Sequence, residues 1–305
     1  DVDATVVSIS DGADDDLGVA ASVGAASPPF RRLFGTARVG VSPVGFEDVN
    51  LLWSGHLRYG VAPSVSVGGV LARAPVADSL LSWAGKVDSS RGLYGFVSQI
   101  WASGYLNWTP STPVDAGLLL RGGYTEGYGI EPNPLGEAVA WAGYTAGRRE
   151  NNAFGRLGAE AIVQSHARQE DGFDVGQGGY FSPPLFVLAG LRAAAGAYVS
   201  GRTVRLCAPA SAGPQYTDGE PTPWFGVGLT GAGKVGAGAA VRLSPGFSAG
   251  IDGRYQATLG GWHQETALLH VTWGLVPATP SAPSQTTVAS PGAVLLSTGD
   301  LCRVQ

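Results

Sequence analysis

The sequence has little charge, almost no sulfur and no long apolar runs. Only 14 % of its 305 residues are charged, two are Cys and none is Met, whereas a typical soluble domain carries about 25 % charged residues. Two Cys cannot form the framework of a disulfide scaffold of this length. A net charge of −5 without any Lys/Arg run argues against a typical nucleic-acid binder. With 44 % hydrophobic residues the chain is not disordered either.

No stretch of about 18 uninterrupted apolar residues occurs, so a membrane protein built from helices is excluded. The chain nevertheless has too little charge for an ordinary soluble surface. Bilayers accept only helices and closed barrels, because every backbone N–H and C=O must be paired within the protein. A transmembrane β-barrel remains. The chain starts at Asp1 with neither an initiator Met nor a signal peptide, so we expect a mature product or a fragment.

Period-two alternation supports a barrel, because one face of each membrane strand meets lipid and the other meets the lumen. In 247–257 the odd positions are apolar or small, and the even positions include Asp252 and Arg254. In 157–163 the odd positions are apolar and face away from Arg156 and Glu160. The segments are about 10 residues long, as tilted membrane strands require. Aromatic residues near their ends are typical of interfacial girdles.

We therefore predict an all-β protein, a transmembrane antiparallel up-and-down β-barrel over residues 1–275, followed by a Pro/Ser/Thr-rich tail over 276–305. Fourteen strands are readable, at 2–8, 17–26, 33–41, 49–59, 64–73, 98–108, 114–124, 137–148, 154–166, 184–193, 197–207, 224–243, 246–258 and 265–275. Short and long connections interleave, as in outer-membrane barrels. The predicted long ones are 74–97, 125–136, 167–183 and 208–223.

The alternation places charged side chains of both signs in the lumen. A strongly ion-selective pore would show one sign, and any water-filled barrel would have such a mixed lining. The candidates are His56, Arg58, Asp115, Arg121, Arg156, Glu160, Asp252 and Arg254.

The segment Gln99–Trp108 has a different lining, because its inward set holds two aromatic residues, Trp101 and Tyr105, between Gln99 and Asn107. Aromatic faces offer flat apolar surfaces to sugar rings, and the polar neighbours can bind hydroxyls. Reversed parity would instead turn both aromatics toward lipid. The sequence leaves the two readings open.

Two predicted long connections carry candidates for a gate at the barrel mouth. In 74–97, Asp78 could cap and Gly85 could end a short helix that contains Trp83. In 167–183, the candidates are Tyr180 and Phe181. A gate and a merely packed surface loop are both compatible with these sequences.

No catalytic or metal site is predicted. Ser248 fits the pattern G-x-S-x-G, but it starts an alternating strand and no helix follows, as a nucleophile elbow would need. Cys207 and Cys302 lack a Cys-x-x-Cys partner or a nearby His. We expect neither enzyme activity nor a cofactor.

Three segments carry a family resemblance: Gly176–Pro183, which reads GQGGYFSP, Pro75–Gly85, which reads PVADSLLSWAG, and Gly40–Phe46, which reads GVSPVGF. They resemble the C-terminal barrel of the bacterial cellulose synthase operon protein C family, in the same order, within a similarity that spans about 17–275. The resemblance implies a 16-strand barrel that follows a periplasmic solenoid of tetratricopeptide repeats. The fourteen readable strands would then be the barrel without its first hairpin.

By this resemblance we expect a bacterial outer-membrane channel that exports cellulose, a β-1,4-glucan, to the cell surface. The implied partners are the cellulose chain, outer-membrane lipid, the periplasmic repeat region and an inner-membrane cellulose synthase, with no nucleic acid. A channel for another exopolysaccharide, a general diffusion porin and an outer-membrane enzyme are the alternatives.

Overall fold

A computed structural model of the chain describes residues 2–10, 15–26, 32–44, 49–76, 79–88, 92–110, 113–146, 153–172, 178–199, 203–221, 227–244, 247–259 and 263–273. Asp78 and the predicted tail lie outside these ranges. The described elements are β1 Val2–Ser10, β2 Asp15–Ala26, β3 Leu33–Val44, β4 Asn50–Ala62, β5 Val65–Pro75, α1 Leu80–Ala84, β6 Lys86–Asp88, β7 Gly92–Trp108, β8 Val114–Tyr128, β9 Ile130–Ala146, β10 Ala153–His166, β11 Leu185–Val199, β12 Val204–Asp218, β13 Gly228–Ser244, β14 Phe247–Thr258 and β15 His263–Trp273.

The strands form an antiparallel ring in which neighbours in sequence are neighbours in space. The ring is continuous across β6, because β5 pairs directly with β7. It closes where β1 pairs with β15, with Val2 opposite Trp273. Among the described strands, fourteen make up this ring, and β6 adds a short ladder beside β7. The predicted all-β barrel is confirmed; the described ring has fourteen strands, not the sixteen that the family resemblance implied.

Of the described helices, none is long and apolar enough to cross a membrane.

The outer surface of the ring is apolar. Large side chains at alternate strand positions are exposed there, among them Leu57, Leu106, Leu120, Leu157 and Leu191. Exposed aromatic residues lie near both ends of the strands: Tyr59, Trp108, Tyr144 and Trp273 at one end, and Tyr124, Tyr128, Tyr216 and Tyr255 at the other. Two aromatic belts flanking an apolar band are the pattern of a barrel that spans a bilayer.

Leu191 tests this assignment, because it lies near the middle of β11 with 67 % of its surface exposed. Leu191→Arg is expected to lower the free energy of unfolding in lipid by about 2–4 kcal/mol, as for Arg at the bilayer midplane. Leu259→Arg, in the turn that follows β14, should cost about 1 kcal/mol or less near the interface. Urea titration in vesicles measures both. Equal costs would contradict the assigned membrane span.

Several connections differ from prediction. Residues 194–196, predicted as a turn, lie inside β11, which continues to Val199. The turn was predicted at Gly196, but this glycine serves the packing between β11 and β10. A Cβ at Gly196 would collide with the ring of Phe154 on β10.

The long connections predicted at 125–136 and 208–223 are largely strand. β8 and β9 are joined at Gly129, whose φ of +67° makes the tight turn. β12 likewise continues to Asp218. Pro132, Pro134, Pro209 and Pro214, which fall in these predicted connections, all lie within strands. Proline lacks one ladder donor, which a strand tolerates at selected positions.

The short helix predicted after β5 is confirmed as α1. Its N-cap is Ser79, the residue after the predicted Asp78. Ser79 and Ser82 form a capping box, in which each side chain accepts a hydrogen bond from the other residue's backbone N–H. The helix ends at Gly85, as predicted, with a φ of +75°.

Candidate functional site

The face of β7 that carries Trp101 and Tyr105 is turned inward. Gln99 and Trp101 are buried and Tyr105 is half-buried, whereas the alternate residues Leu106 and Trp108 are exposed on the outer surface. Gln99, Trp101, Ser103, Tyr105 and Asn107 thus share one inward face. This decides between the two parities that the sequence left open.

Both aromatic residues contact charged or titratable neighbours on this wall. The Arg121 guanidinium of β8 lies 5.4 Å from the centre of the Trp101 ring and binds the Glu137 carboxylate of β9 at 2.7 Å. The Tyr105 hydroxyl is hydrogen-bonded to His56 Nε2 of β4 at 2.6 Å. A cation over an aromatic face fixes the orientation of both groups. The two aromatic rings are therefore held in place from the neighbouring strands.

The other predicted lumen residues also lie on the inner face. Arg156 pairs with Asp115, and Glu160 lies 3.9 Å from Arg192, both of them buried. Asp252 and Arg254 are half-buried on the inward positions of β14. Arg58, at the inward parity of β4, is exposed.

Sequence reasoning missed three buried charged residues of the inner wall: Glu137, Arg192 and Lys234. Each lies on the inward parity of its strand, so the alternation contained the signal. Their partners could not be found this way, because period two gives the face of a residue but not its neighbour on the next strand.

Part of the inner wall is apolar, which the predicted polar lining did not include. Phe181 packs there against Val139, Ile162, Phe186 and Leu188, which lie on inward positions of β9, β10 and β11. The rings of Phe181 and Phe186 meet edge to face at 5.1 Å between centroids. The connection between β10 and β11 is therefore folded into the barrel and anchored by an aromatic side chain.

Tyr180, the next residue of this connection, is fully buried. Its hydroxyl donates to the Glu170 carboxylate at 2.6 Å. It accepts from Asn133 Nδ2 at 3.0 Å and is bonded to Thr125 Oγ1 at 2.6 Å. The phenol thus ties the loop to β8 and β9, and its ring lies edge-on to His166. A hydroxyl with three partners is a strong anchor.

The two candidate loops also contact each other. The Ser79 hydroxyl, at the start of α1, donates to the Gly179 carbonyl at 2.7 Å. Gly179 has a φ of +61°, which favours glycine, and a Cβ at Gly178 would collide with the Tyr180 ring. Trp83 of α1 is fully buried and donates its indole N–H to Ser42 Oγ at 3.2 Å. The end of the barrel that bears these two loops is called the mouth below.

We expect Glu170 to make docking of the Tyr180 loop dependent on pH. Burial raises the pKa of its carboxyl; the Tyr180 hydrogen bond and Arg168 oppose the rise, and Glu131 adds to it. The docked loop therefore binds a proton more readily than a released loop. Docking is therefore expected to be strongest at low pH and to weaken as pH rises from about 4.5, the ordinary value, through the raised pKa.

In planar bilayers, the open fraction of the channel is accordingly expected to rise with pH over this window. Glu170→Gln keeps an acceptor oxygen for Tyr180 and removes the titration, so its profile should be flat there. A Glu170→Gln profile that rises as steeply as that of the unchanged protein would show that another group controls the loop.

Among the described residues, no group of three or more His, Cys, Asp or Glu side chains could hold a metal ion. Ser248 lies within β14, as the alternation predicted.

The closed antiparallel ring, its apolar band and its aromatic belts define an outer-membrane β-barrel. Residues 4–259 match the family model described as Cellulose synthase operon protein C C-terminus. The chain belongs to this family.

Two curated relatives carry the name of this family. The chain is 28 % identical over 218 residues to Cellulose synthase operon protein C of Xanthomonas axonopodis pv. citri (strain 306), a match that covers 69 % of this chain and 14 % of the relative. It is also 28 % identical over 255 residues to Cellulose synthase 2 operon protein C of Komagataeibacter xylinus, with 76 % and 19 % covered. The chain thus spans less than a fifth of these relatives' length.

A structure titled Bacterial polysaccharide outer membrane secretin is similar in fold, with a TM-score of 0.60 and 12 % identity over 89 % of this chain and 97 % of that one.

Proposed function

We propose that the chain is a channel that exports a polysaccharide across the bacterial outer membrane, and that the polysaccharide is cellulose. One observation carries the proposal: the inner face of β7 is a ladder of amide, hydroxyl and aromatic side chains within a closed membrane barrel. The names of the relatives, which belong to cellulose synthase operons, support cellulose as the polymer.

The ladder suits an uncharged sugar chain. Trp101 and Tyr105 lie four residues apart on one strand face, about 13 Å along the strand. Tyr105, which is half-buried, offers apolar contact to a sugar ring, and Ser103 and Asn107 offer hydrogen bonds to hydroxyls. Gln99 and Trp101 are buried and become accessible to the polymer only when the groups that cover them move. Weak contacts at several points let a polymer enter and leave, whereas one tight site would hold it.

The channel itself is passive, since the barrel provides only weak binding sites for the polymer. The driving force comes from polymer synthesis at an inner-membrane cellulose synthase. A periplasmic tetratricopeptide-repeat region guides the polymer to the barrel. These two partners and the cellulose chain are part of the proposal.

Current through the reconstituted channel tests the polymer class. The Tyr180→Ala variant, whose mouth is expected to be open, is inserted into planar bilayers. Cellohexaose, maltohexaose and the hexamer of N-acetylglucosamine are then added in turn. Interruption of the ion current at the lowest concentration by cellohexaose supports a cellulose channel.

Stronger interruption by the N-acetylglucosamine hexamer would instead indicate another exopolysaccharide. Equal effects of all three would indicate a general diffusion porin.

A further inference from the structure

A row of polar side chains crosses the inner wall at the level where the Tyr180 loop enters. Gln99 of β7 lies opposite Thr125 of β8, which lies opposite Asn133 of β9. Beside the row on β10 lie His166, whose ring is edge-on to Tyr180, and then Gln164. They pair with Leu135 and Glu137 of β9, two and four residues from Asn133. All five are buried, with at most 3 % of their surface exposed.

The polar groups at the centre of this row have hydrogen-bond partners, whereas those at its two ends do not. Tyr180 binds Thr125 and Asn133. Among the described residues, by contrast, neither amide atom of Gln99 or Gln164 has a hydrogen-bond partner. A buried amide without a partner costs about 1–3 kcal/mol. Both amides therefore retain free donors and acceptors on the inner wall.

The ligand chemistry follows from the groups. Two carboxamides and an imidazole, with a hydroxyl and a third amide between them, bind neutral molecules with many hydroxyls through paired donors and acceptors. Tyr180 fills the centre of the row with a six-membered ring and binds Thr125 and Asn133 through one hydroxyl, as a ring hydroxyl of a sugar residue could. The indole N–H of Trp101, next to Gln99 on the same face, also lacks a partner among the described residues.

We propose that Gln99, Thr125, Asn133, Gln164 and His166 form a saccharide subsite at the mouth and that Tyr180 occupies it as an internal substitute for the sugar. The arriving polymer end displaces Tyr180, supplies the partners that Gln99 and Gln164 lack, and thereby opens the mouth. The subsite couples arrival of the chain to release of the loop. This inference rests on the proposed export of a polysaccharide.

Calorimetric titration of the reconstituted protein with cellohexaose tests the subsite. Tyr180→Ala vacates it, so binding is expected to be about a hundredfold tighter than in the unchanged protein, since the ligand no longer competes with docking of the Tyr180 ring and its three hydrogen bonds. Adding Gln99→Ala or Gln164→Ala to Tyr180→Ala should weaken binding about tenfold again. Gln256→Ala is the matched control, because Gln256 is a buried inward glutamine of β14, four strands from Gln164. It should leave binding unchanged.

The outcomes separate this inference from the proposed function. If Gln99→Ala and Gln164→Ala bind as Tyr180→Ala does while cellohexaose still interrupts the current, the subsite is wrong and the channel stands. If no hexasaccharide binds or interrupts the current in any variant, both fail. Slower migration of the heated than the unheated protein in SDS gels verifies that each variant forms a barrel.

Discussion

Tyr180→Ala is expected to raise the ratio of open to closed channel by about a hundredfold or more. The substitution removes a fully buried ring and three hydrogen bonds to Glu170, Asn133 and Thr125. Loss of about 3 kcal/mol of docking energy, less than the full value of the ring and its bonds, corresponds to about a hundredfold change. Single-channel recording in planar bilayers gives the open fraction directly.

Two further variants show which part of Tyr180 matters. Tyr180→Phe retains the ring and removes the hydrogen bonds, so its open fraction should lie between those of the unchanged protein and Tyr180→Ala. Tyr216→Ala makes the same truncation on the outer face of β12, where 41 % of the side chain is exposed, and should not alter gating. Unchanged closure in Tyr180→Ala would mean that the loop does not control the mouth.

The second large effect is expected from Arg121→Ala, which should lower the free energy of unfolding by about 3–5 kcal/mol. Arg121 neutralises the Glu137 carboxylate at 2.7 Å, and both side chains are almost completely buried. Removing the Arg121 guanidinium leaves the buried Glu137 carboxylate without its cation. It also removes the cation–π contact with the Trp101 ring. Denaturant titration of the protein in lipid vesicles measures the change.

A matched ion pair provides the control. Arg168 binds Glu131 at the surface, where half of the Arg168 side chain is exposed, so Arg168→Ala should cost about 1 kcal/mol or less. The double variant Arg121→Leu/Glu137→Leu should recover most of the loss, because it replaces the pair with apolar side chains. If Arg121→Ala lowers the free energy of unfolding no more than Arg168→Ala does, the Arg121–Glu137 pair is hydrated like a surface pair.

Strand alternation was sufficient to predict the barrel and most of its inner face, because a two-residue period is a local property of the sequence. It placed Glu160 and Arg156 inside and Leu157 outside, as the structure has them. It was insufficient where glycine and proline, which often form turns, lie within strands instead. Gly196 makes room for the Phe154 ring rather than a turn.

The mouth could be predicted only in part. Two loops were recognised from the residues around Trp83 and Tyr180, but their link could not be. Ser79 and Gly179 are a hundred residues apart, and no periodicity reports a contact over that separation. The folding of Phe181 into the lumen likewise depends on apolar residues of three different strands.

The pairing of β1 with β15 has a consequence for how the barrel is made. It joins the two most distant strands of the described chain, Val2 opposite Trp273. The ladders between strands that are consecutive in sequence can form as local hairpins. The entropic cost of loop closure is largest for the partners that lie farthest apart in sequence. Until this seam forms, two strand edges present unpaired backbone groups to the bilayer. We therefore expect the β1–β15 pairing to complete insertion. Substitutions in these two strands should slow assembly of the barrel even where they leave transport unchanged.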